Sequence, residues 1–289
     1  MARIAYVDGR YLPITAASVS IEDRGFQFAD SIYEVLKRIN GRLIDADRHL
    51  ARLRRSLGEL QIAQPCSEAA LLRIVQETLA RNALKDALIY IQVSRGAAPR
   101  NHPFPASTRP TLVVTVRRLS LPSQLEREQG AGVVTAPDQR WGRCDIKSTG
   151  LLPNVLAKQE AQQAGAREAW LVSGEGTEAV VTEGSSTNAW IVDAAGVLRT
   201  HPATPAILGG VTRSVVLELA RAEGIAVEER AFTLGELAKA REAFLTSATS
   251  LVLPVTRIDG RPVANGMPGE TTRRLMACYA ERCGLPAHR

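Results

Sequence analysis

The sequence predicts a mixed α/β (α+β) protein of two strand-rich domains. Short apolar runs rich in β-branched residues outnumber amphipathic helical stretches, and the two kinds do not alternate in the regular βαβ order of a doubly wound sheet. The pattern lapses once, over 119–132, into LSLPSQLEREQGAG, which is polar and turn-rich. The expected organisation is therefore a small N-terminal domain over 1–120, an interdomain linker over 121–131 and a large C-terminal domain over 132–289.

The elements follow in order. Ile4 to Val7 and Arg10 to Leu12 flank Asp8-Gly9, a two-residue hairpin signal, and Ile32 to Ile39 and Arg42 to Ile44 flank Asn40-Gly41 in the same way. Asp47 precedes a helical pattern carrying Leu50, Leu53, Leu57 and Leu60, and a second helix is expected from Ser67 to Asn82. Strands are expected at Ala87 to Ser94 and Pro110 to Arg118 and, past the linker, at Gly132 to Ala136. A helix from Pro153 to Gly165 has proline in its first turn and glycine at its stop. Three strands then fall at Glu168 to Ser173, Ala179 to Glu183 and Thr187 to Asp193, and two helices at Thr212 to Gly224 and Glu270 to Gly284.

Composition narrows the function. Of 289 residues 45% are hydrophobic but only 4% aromatic, so Leu, Val, Ile and Ala must fill the cores. The 36 basic residues exceed the 30 acidic ones by six, without a basic tail or block; this argues against nucleic acid and suits small anions. Cys66, Cys144, Cys278 and Cys283 form no CxxC pair and no zinc spacing. No secretory leader and no run of 18 apolar residues is present, so the expected setting is the cytoplasm, away from the membrane.

Three segments carry chemistry. In WGRCDIKSTGLLPNVLAKQEA, Lys147 follows an apparent strand and precedes a Ser-Thr-Gly turn and a helix, where a lysine is held by the scaffold yet faces a cleft. In VVTEGSSTNAWIV, Glu183 ends an apolar strand before a run of small residues whose amides and hydroxyls suit a flat ligand, and its carboxylate suits a protonated ring nitrogen. In ILGGVTRSVVLELA, a Gly-Gly turn opens a helix whose free amides and dipole favour a small phosphate. No GxGxxG or nucleotide P-loop is present.

In this order the three segments resemble the class IV (fold type IV) aminotransferases over almost the whole chain, with Trp190 where the family generally has Phe or Tyr. The resemblance implies two domains with pyridoxal 5'-phosphate at their interface. Lys147 would hold the cofactor covalently and move the proton between Cα and C4′, and Glu183 would pair with the ring nitrogen. Arg52, the amides of Val211 and Thr212, and the turn holding Ala248 and Thr249 would bind the phosphate, with Leu208 on a ring face.

Two further segments resemble the D-amino acid enzymes of that family. EDRGFQFADSIYEVLKRING carries Tyr33 and Val35 where branched-chain enzymes tend to show Phe-Glu-Gly, and Arg100-Asn101-His102 matches an Arg-x-His carboxylate trap. Tyr90 and Trp141 also match pocket positions, both less strongly than Arg100 and His102. The resemblance implies a homodimer in which the Arg100/His102 loop reaches the partner's site, and ping-pong transamination between a D-amino acid such as D-alanine and a 2-oxo acid such as 2-oxoglutarate. A branched-chain L-aminotransferase, an aminodeoxychorismate lyase-like enzyme and an (R)-selective amine transaminase stay open. Arg95 and Arg213 sit beside motif residues, and the sequence does not separate an ion-pair role from a ligand role for either.

Overall fold

The structure is a computed structural model and describes residues 3–286. The chain divides into two compact units, one of residues 1–119 and 146–150, the other of residues 120–145 and 151–289.

The first unit is built on a six-stranded antiparallel sheet. Strands β1 (Ile4–Val7) and β2 (Arg10–Pro13) form the expected hairpin, with Asp8 at φ 44° and Gly9 at φ 89°. Two consecutive positive φ angles match the right-handed twist of the flanking strands, and Asp-Gly tolerates them. A short helix α1 (Arg24–Phe28) leads into β3 (Ser31–Ile39), which turns at Asn40-Gly41 into β4 (Arg42–Ile44). Helices α2 (Ala46–Glu59) and α3 (Glu68–Arg81) precede β5 (Ala87–Ser94) and β6 (Thr111–Arg118), giving the order β2-β1-β6-β5-β3-β4.

Strand periodicity assigns the two faces. Ile32 and Leu36 of β3 and Ile89, Ile91 and Val93 of β5 pack with Leu50, Leu53 and Leu57 of α2 and Leu71, Val75 and Leu79 of α3 in one core. Tyr33, Val35, Tyr90 and Gln92 therefore share the other face, with Val35 opposite Tyr90 and Tyr33 opposite Gln92.

The second unit opens with α4 (Gln124–Gln129), β7 (Ala131–Pro137), α5 (Leu152–Gln163), β8 (Glu168–Ser173), β9 (Val180–Gly184), β10 (Asn188–Val192) and β11 (Leu198–Thr200). It continues through α6 (Val211–Ala222), β12 (Val227–Glu229), β13 (Phe232–Thr233), α7 (Leu234–Leu237), β14 (Glu242–Ser247), β15 (Leu251–Ile258), β16 (Arg261–Pro262) and α8 (Glu270–Arg282). The strands run β12-β11-β10-β14-β15-β7-β8-β9-β13, with β16 on β15. Pairing is parallel at β7/β8, β7/β15 and β11/β12; β7-α5-β8 is a right-sized βαβ crossover. Trp170, Val181, Ile191, Phe232, Leu245 and Leu253 are fully buried in its main core.

Two expectations differ from what folds. The stretch 121–131 holds α4, whose Ser123 hydroxyl accepts from the Glu126 amide while the Glu126 carboxylate accepts from the Ser123 amide. That capping box was legible as Ser-x-x-Glu, but the polar composition masked it. The residues before Lys147 form no strand: 141–147 is irregular, and Ser148 makes an isolated bridge to Ile32. Among the described residues no helix is long and apolar enough to cross a membrane.

Candidate active site

Lys147 belongs to the short stretch Ile146–Gly150 of the first unit, and β3 holds that stretch by its backbone. The Tyr33 amide donates to the Lys147 carbonyl (3.0 Å) and the Thr149 amide to the Ser31 carbonyl (3.1 Å). The Lys147 amide donates to Ser56 Oγ on α2 at 3.3 Å. Tethered on both sides, Lys147 carries its ammonium over the Tyr33 ring, 4.2 Å from the centroid. Tyr33 stacks on Tyr90 at 5.5 Å, and the Tyr90 hydroxyl donates to Gln92 Oε1 at 2.8 Å. Burial, with Tyr33 alongside, pushes the Tyr90 phenol up to about 12, so it stays a neutral donor. Lys147, Tyr33, Val35 and Tyr90 thus gather at one face of the sheet.

Arg52 lies on α2 facing the opposite side of β3. Its Nε and Nη2 donate to the two oxygens of Glu34 at 2.7 and 2.9 Å. His49 Nδ1 lies 2.9 Å from Glu34 Oε2. Burial works to raise the Glu34 pKa, but Arg52 and His49 outweigh it and bring it down to about 2. Burial also lowers the pKa of His49, which Glu34 only partly offsets, so the ring is neutral and donates through Nδ1. The guanidinium is therefore fixed by a buried carboxylate, a partner the sequence reading did not name.

In the second unit Glu183 ends β9 and is 5% exposed. Its Oε1 accepts from Arg140 Nη1 and from the Leu208 amide (3.0 Å), and its Oε2 accepts from Asn188 Nδ2 (2.9 Å). Arg140 is braced in turn by Asp138, at 2.9 and 2.8 Å, and by the Ala206 carbonyl. Burial works against ionisation of Asp138, but hydrogen bonds from Arg140 and Thr182 hold it below the ordinary carboxylate range. Sequence reading missed Arg140; the available signal was an arginine just past a strand end, immediately before the segment that carries Lys147. Nearby Cys144 is no rival nucleophile, because burial pushes its thiol up to about 11.

Asn188 joins these groups to the helix start. Its amide also donates to the Leu208 carbonyl at 3.0 Å, and a Cβ on Gly210 would lie 2.0 Å from Asn188 Oδ1. Only glycine fits there. Helix α6 begins at the next residue with no side-chain cap on Gly210, so the first-turn amides of Val211 and Thr212 have no intrahelical acceptor. Leu208, expected on a ring face, is half-buried. Asn188 pairs with Thr246 across β10 and β14, which brings the turn after β14 to the same end of the sheet. Ala248 and Thr249 lie in that turn, half-buried, with the Ser250 amide donating to Ser247 Oγ at 2.9 Å. This end offers amides, hydroxyls and one buried carboxylate, a donor set that fits pyridoxal phosphate: an anionic ester and a protonated ring nitrogen.

Arg100, Asn101 and His102 are exposed on the loop between β5 and β6. Trp141 is 47% exposed. Both ambiguous arginines make internal ion pairs. Arg95 Nε and Nη2 donate to Asp30 at 2.7 and 3.0 Å. Arg213 donates to the His201 carbonyl and Glu229 at 2.7 and 2.9 Å.

Residues 31–258 match the family model described as amino-transferase class IV, and the chain belongs to that family. Among its relatives, the D-alanine aminotransferase of Bacillus licheniformis is 42% identical over 268 residues, covering 93% of each chain. That of Listeria monocytogenes serotype 4b (strain F2365) is 41% identical over 267 residues, covering 92% of this chain and 91% of the relative. The solved structure of a T.th. branched-chain amino acid aminotransferase with pyridoxamine 5'-phosphate superposes with a TM-score of 0.88 at 25% identity, covering 99% of this chain and 96% of that one.

Proposed function

We propose that this aminotransferase exchanges an amino group between a D-amino acid, D-alanine foremost, and a 2-oxo acid such as 2-oxoglutarate, using pyridoxal 5'-phosphate. The observation that carries the reading is the 42% identity, over 268 residues, to a D-alanine aminotransferase. The branched-chain enzyme with the same fold shares only 25%. Arg100-Asn101-His102 supports the same choice, because a guanidinium and an imidazole together can orient a carboxylate.

When bound, the cofactor ring supplies a sink for the electron pair left as Cα loses its proton. Lys147 would hold the cofactor through its side-chain amine, and that amine, when free, would take the proton from the substrate Cα and return it on the cofactor side. Glu183 holds a proton on the ring nitrogen, and its pairing with Arg140 keeps it an acceptor. The amides of Val211 and Thr212, the turn of Ala248 and Thr249, and Arg52 bind the phosphate, and Leu208 lies against the ring. Tyr33, Val35 and Tyr90 border the substrate, and Arg100 and His102 take its carboxylate.

The working enzyme is a homodimer in which the Arg100/His102 loop serves the partner's site. Helix α5 supports this: Ala157 and Ala161 are buried, while Leu152, Val155 and Leu156 are exposed at 69%, 59% and 57%. Large apolar groups outward and small ones inward suit a helix that a second copy covers.

A panel of D- and L-amino acids with 2-oxoglutarate tests the assignment. D-alanine should give glutamate faster than L-leucine by orders of magnitude; the reverse order would transfer the enzyme to the branched-chain L class, and pyruvate release without amine transfer to the lyases.

A further inference from the structure

Arg24, 4% exposed, is among the most buried charged side chains of the first unit. Its three donor directions are all engaged. Nη1 donates to the Asn101 carbonyl at 2.5 Å, Nη2 to the His102 carbonyl at 3.1 Å, and Nε to Asp30 Oδ2 at 2.7 Å. The two carbonyls belong to the tripeptide whose side chains were assigned to the substrate carboxylate, some 77 residues away in sequence.

The side chains are supported as well. The Phe28 ring, one helical turn past Arg24, lies 5.4 Å from the His102 ring and 5.1 Å from the Arg100 guanidinium. Arg24 itself lies over that ring at 4.9 Å. Asp30 is also fixed by Arg95, which donates to both its oxygens and to the Leu60 and Gln61 carbonyls at 2.6 and 2.9 Å. Burial opposes the charge on Asp30, but Arg95 and Arg24 keep its pKa below the ordinary value. The entry to the loop is pinned too. The Arg24 amide donates to the Gly96 carbonyl, and a Cβ at Gly96 would stand 2.0 Å from the Arg109 carbonyl.

An exposed loop would otherwise sample many conformations, and a carboxylate clamp works only if its donors hold their directions. We propose that Arg24 is a positioning residue for the carboxylate clamp: its guanidinium, anchored on Asp30, fixes the Asn101–His102 backbone while Phe28 sets the attitude of the Arg100 and His102 side chains. This rests on the reading of Arg100 and His102 given above. It adds a residue that touches neither substrate nor cofactor yet controls affinity for any substrate bearing a carboxylate, donor and acceptor alike.

The test uses the full-length holoenzyme and four sets of variants: Arg24→Gln, Phe28→Leu, Arg100→Ala/His102→Ala, and Arg24→Gln added to that pair. Arg24→Gln should raise KM for both D-alanine and 2-oxoglutarate about tenfold or more, with kcat within about threefold and the visible band of the bound cofactor unchanged. Phe28→Leu should raise the same two KM values by a smaller factor, and it supplies the reading if Arg24→Gln does not fold. Because Arg24 acts through the clamp, adding Arg24→Gln to the clamp double variant should raise KM no further, within about twofold. Multiplying effects, or a fall in kcat with loss of the cofactor band, would assign Arg24 to general structure and overturn the proposal. Unchanged KM in both Arg24→Gln and Phe28→Leu, with KM raised in the clamp variant, would overturn it while sparing the clamp. If the clamp variant itself left KM unchanged, the assignment of Arg100 and His102 would fall, and the role of Arg24 with it.

Discussion

Glu183 is held by three donors from separate parts of the second unit, Arg140, Asn188 and the Leu208 amide. Its charge is therefore maintained by the protein, and removing that charge should remove the ring nitrogen's proton. Glu183→Gln is expected to lower kcat for D-alanine on the order of 100-fold or more, with the bound-cofactor absorbance retained; unchanged kcat would detach Glu183 from the chemistry. Glu34 makes a different prediction, one about stability. Its folded pKa of about 2 lies below the ordinary 4.5, so its contribution is complete above 4.5 and fades as pH falls toward 2. His49, also depressed, from 6.5, adds a loss that begins as pH drops below 6.5, because the unfolded chain takes up that proton first. Thermal melts across the acid range should show the decline, flattened in Glu34→Gln. Lys147, Glu183 and Arg100 stand out in the sequence as candidates because they sit in short, chemically distinctive strings. Their supporters Glu34, Asp30, Arg24 and Arg140 do not, because a buried ion pair leaves no local pattern and becomes visible only once distant segments are packed.

At the level of elements, the long periodic segments read cleanly. β5 and β8 fall at the expected residues, and the Asp-Gly and Asn-Gly hairpins turn where they should. The strand expected before Lys147 failed for a physical reason: its residues join no ladder, Cys144 donating singly to the Pro205 carbonyl, and the bonds to β3 and α2 begin only at Lys147. The short strands β11 to β13 and β16 also escaped, being two or three residues long and dependent on neighbours for their pairing, and so did the longer β14 and β15, whose nearly continuous burial leaves no alternating pattern to read. In the proposed function the start of α6 is the element that binds the cofactor phosphate. Gly210→Ala would drive a methyl into the Asn188 side chain, which also holds Glu183. We expect at least about a tenfold weaker hold on pyridoxal phosphate, measured by titrating the cofactor-free enzyme. Unaltered affinity would show that the start of α6 is not part of the cofactor site.

For the whole molecule, the exposed row on α5 predicts self-association. Covering Leu152, Val155 and Leu156 contributes up to about 1.5–3 kcal/mol per side chain, so Leu156→Glu should shift the enzyme toward monomer in sedimentation and lower D-alanine turnover with it. A variant that stays dimeric would move the interface elsewhere. Lys147, the residue proposed to carry the reaction, sits on a loop tethered to β3 and α2. The most direct measurement is borohydride reduction of the holoenzyme followed by peptide mapping. A single modified peptide, with the reduced cofactor on Lys147, is the predicted result; label on another lysine, or on none, would contradict it.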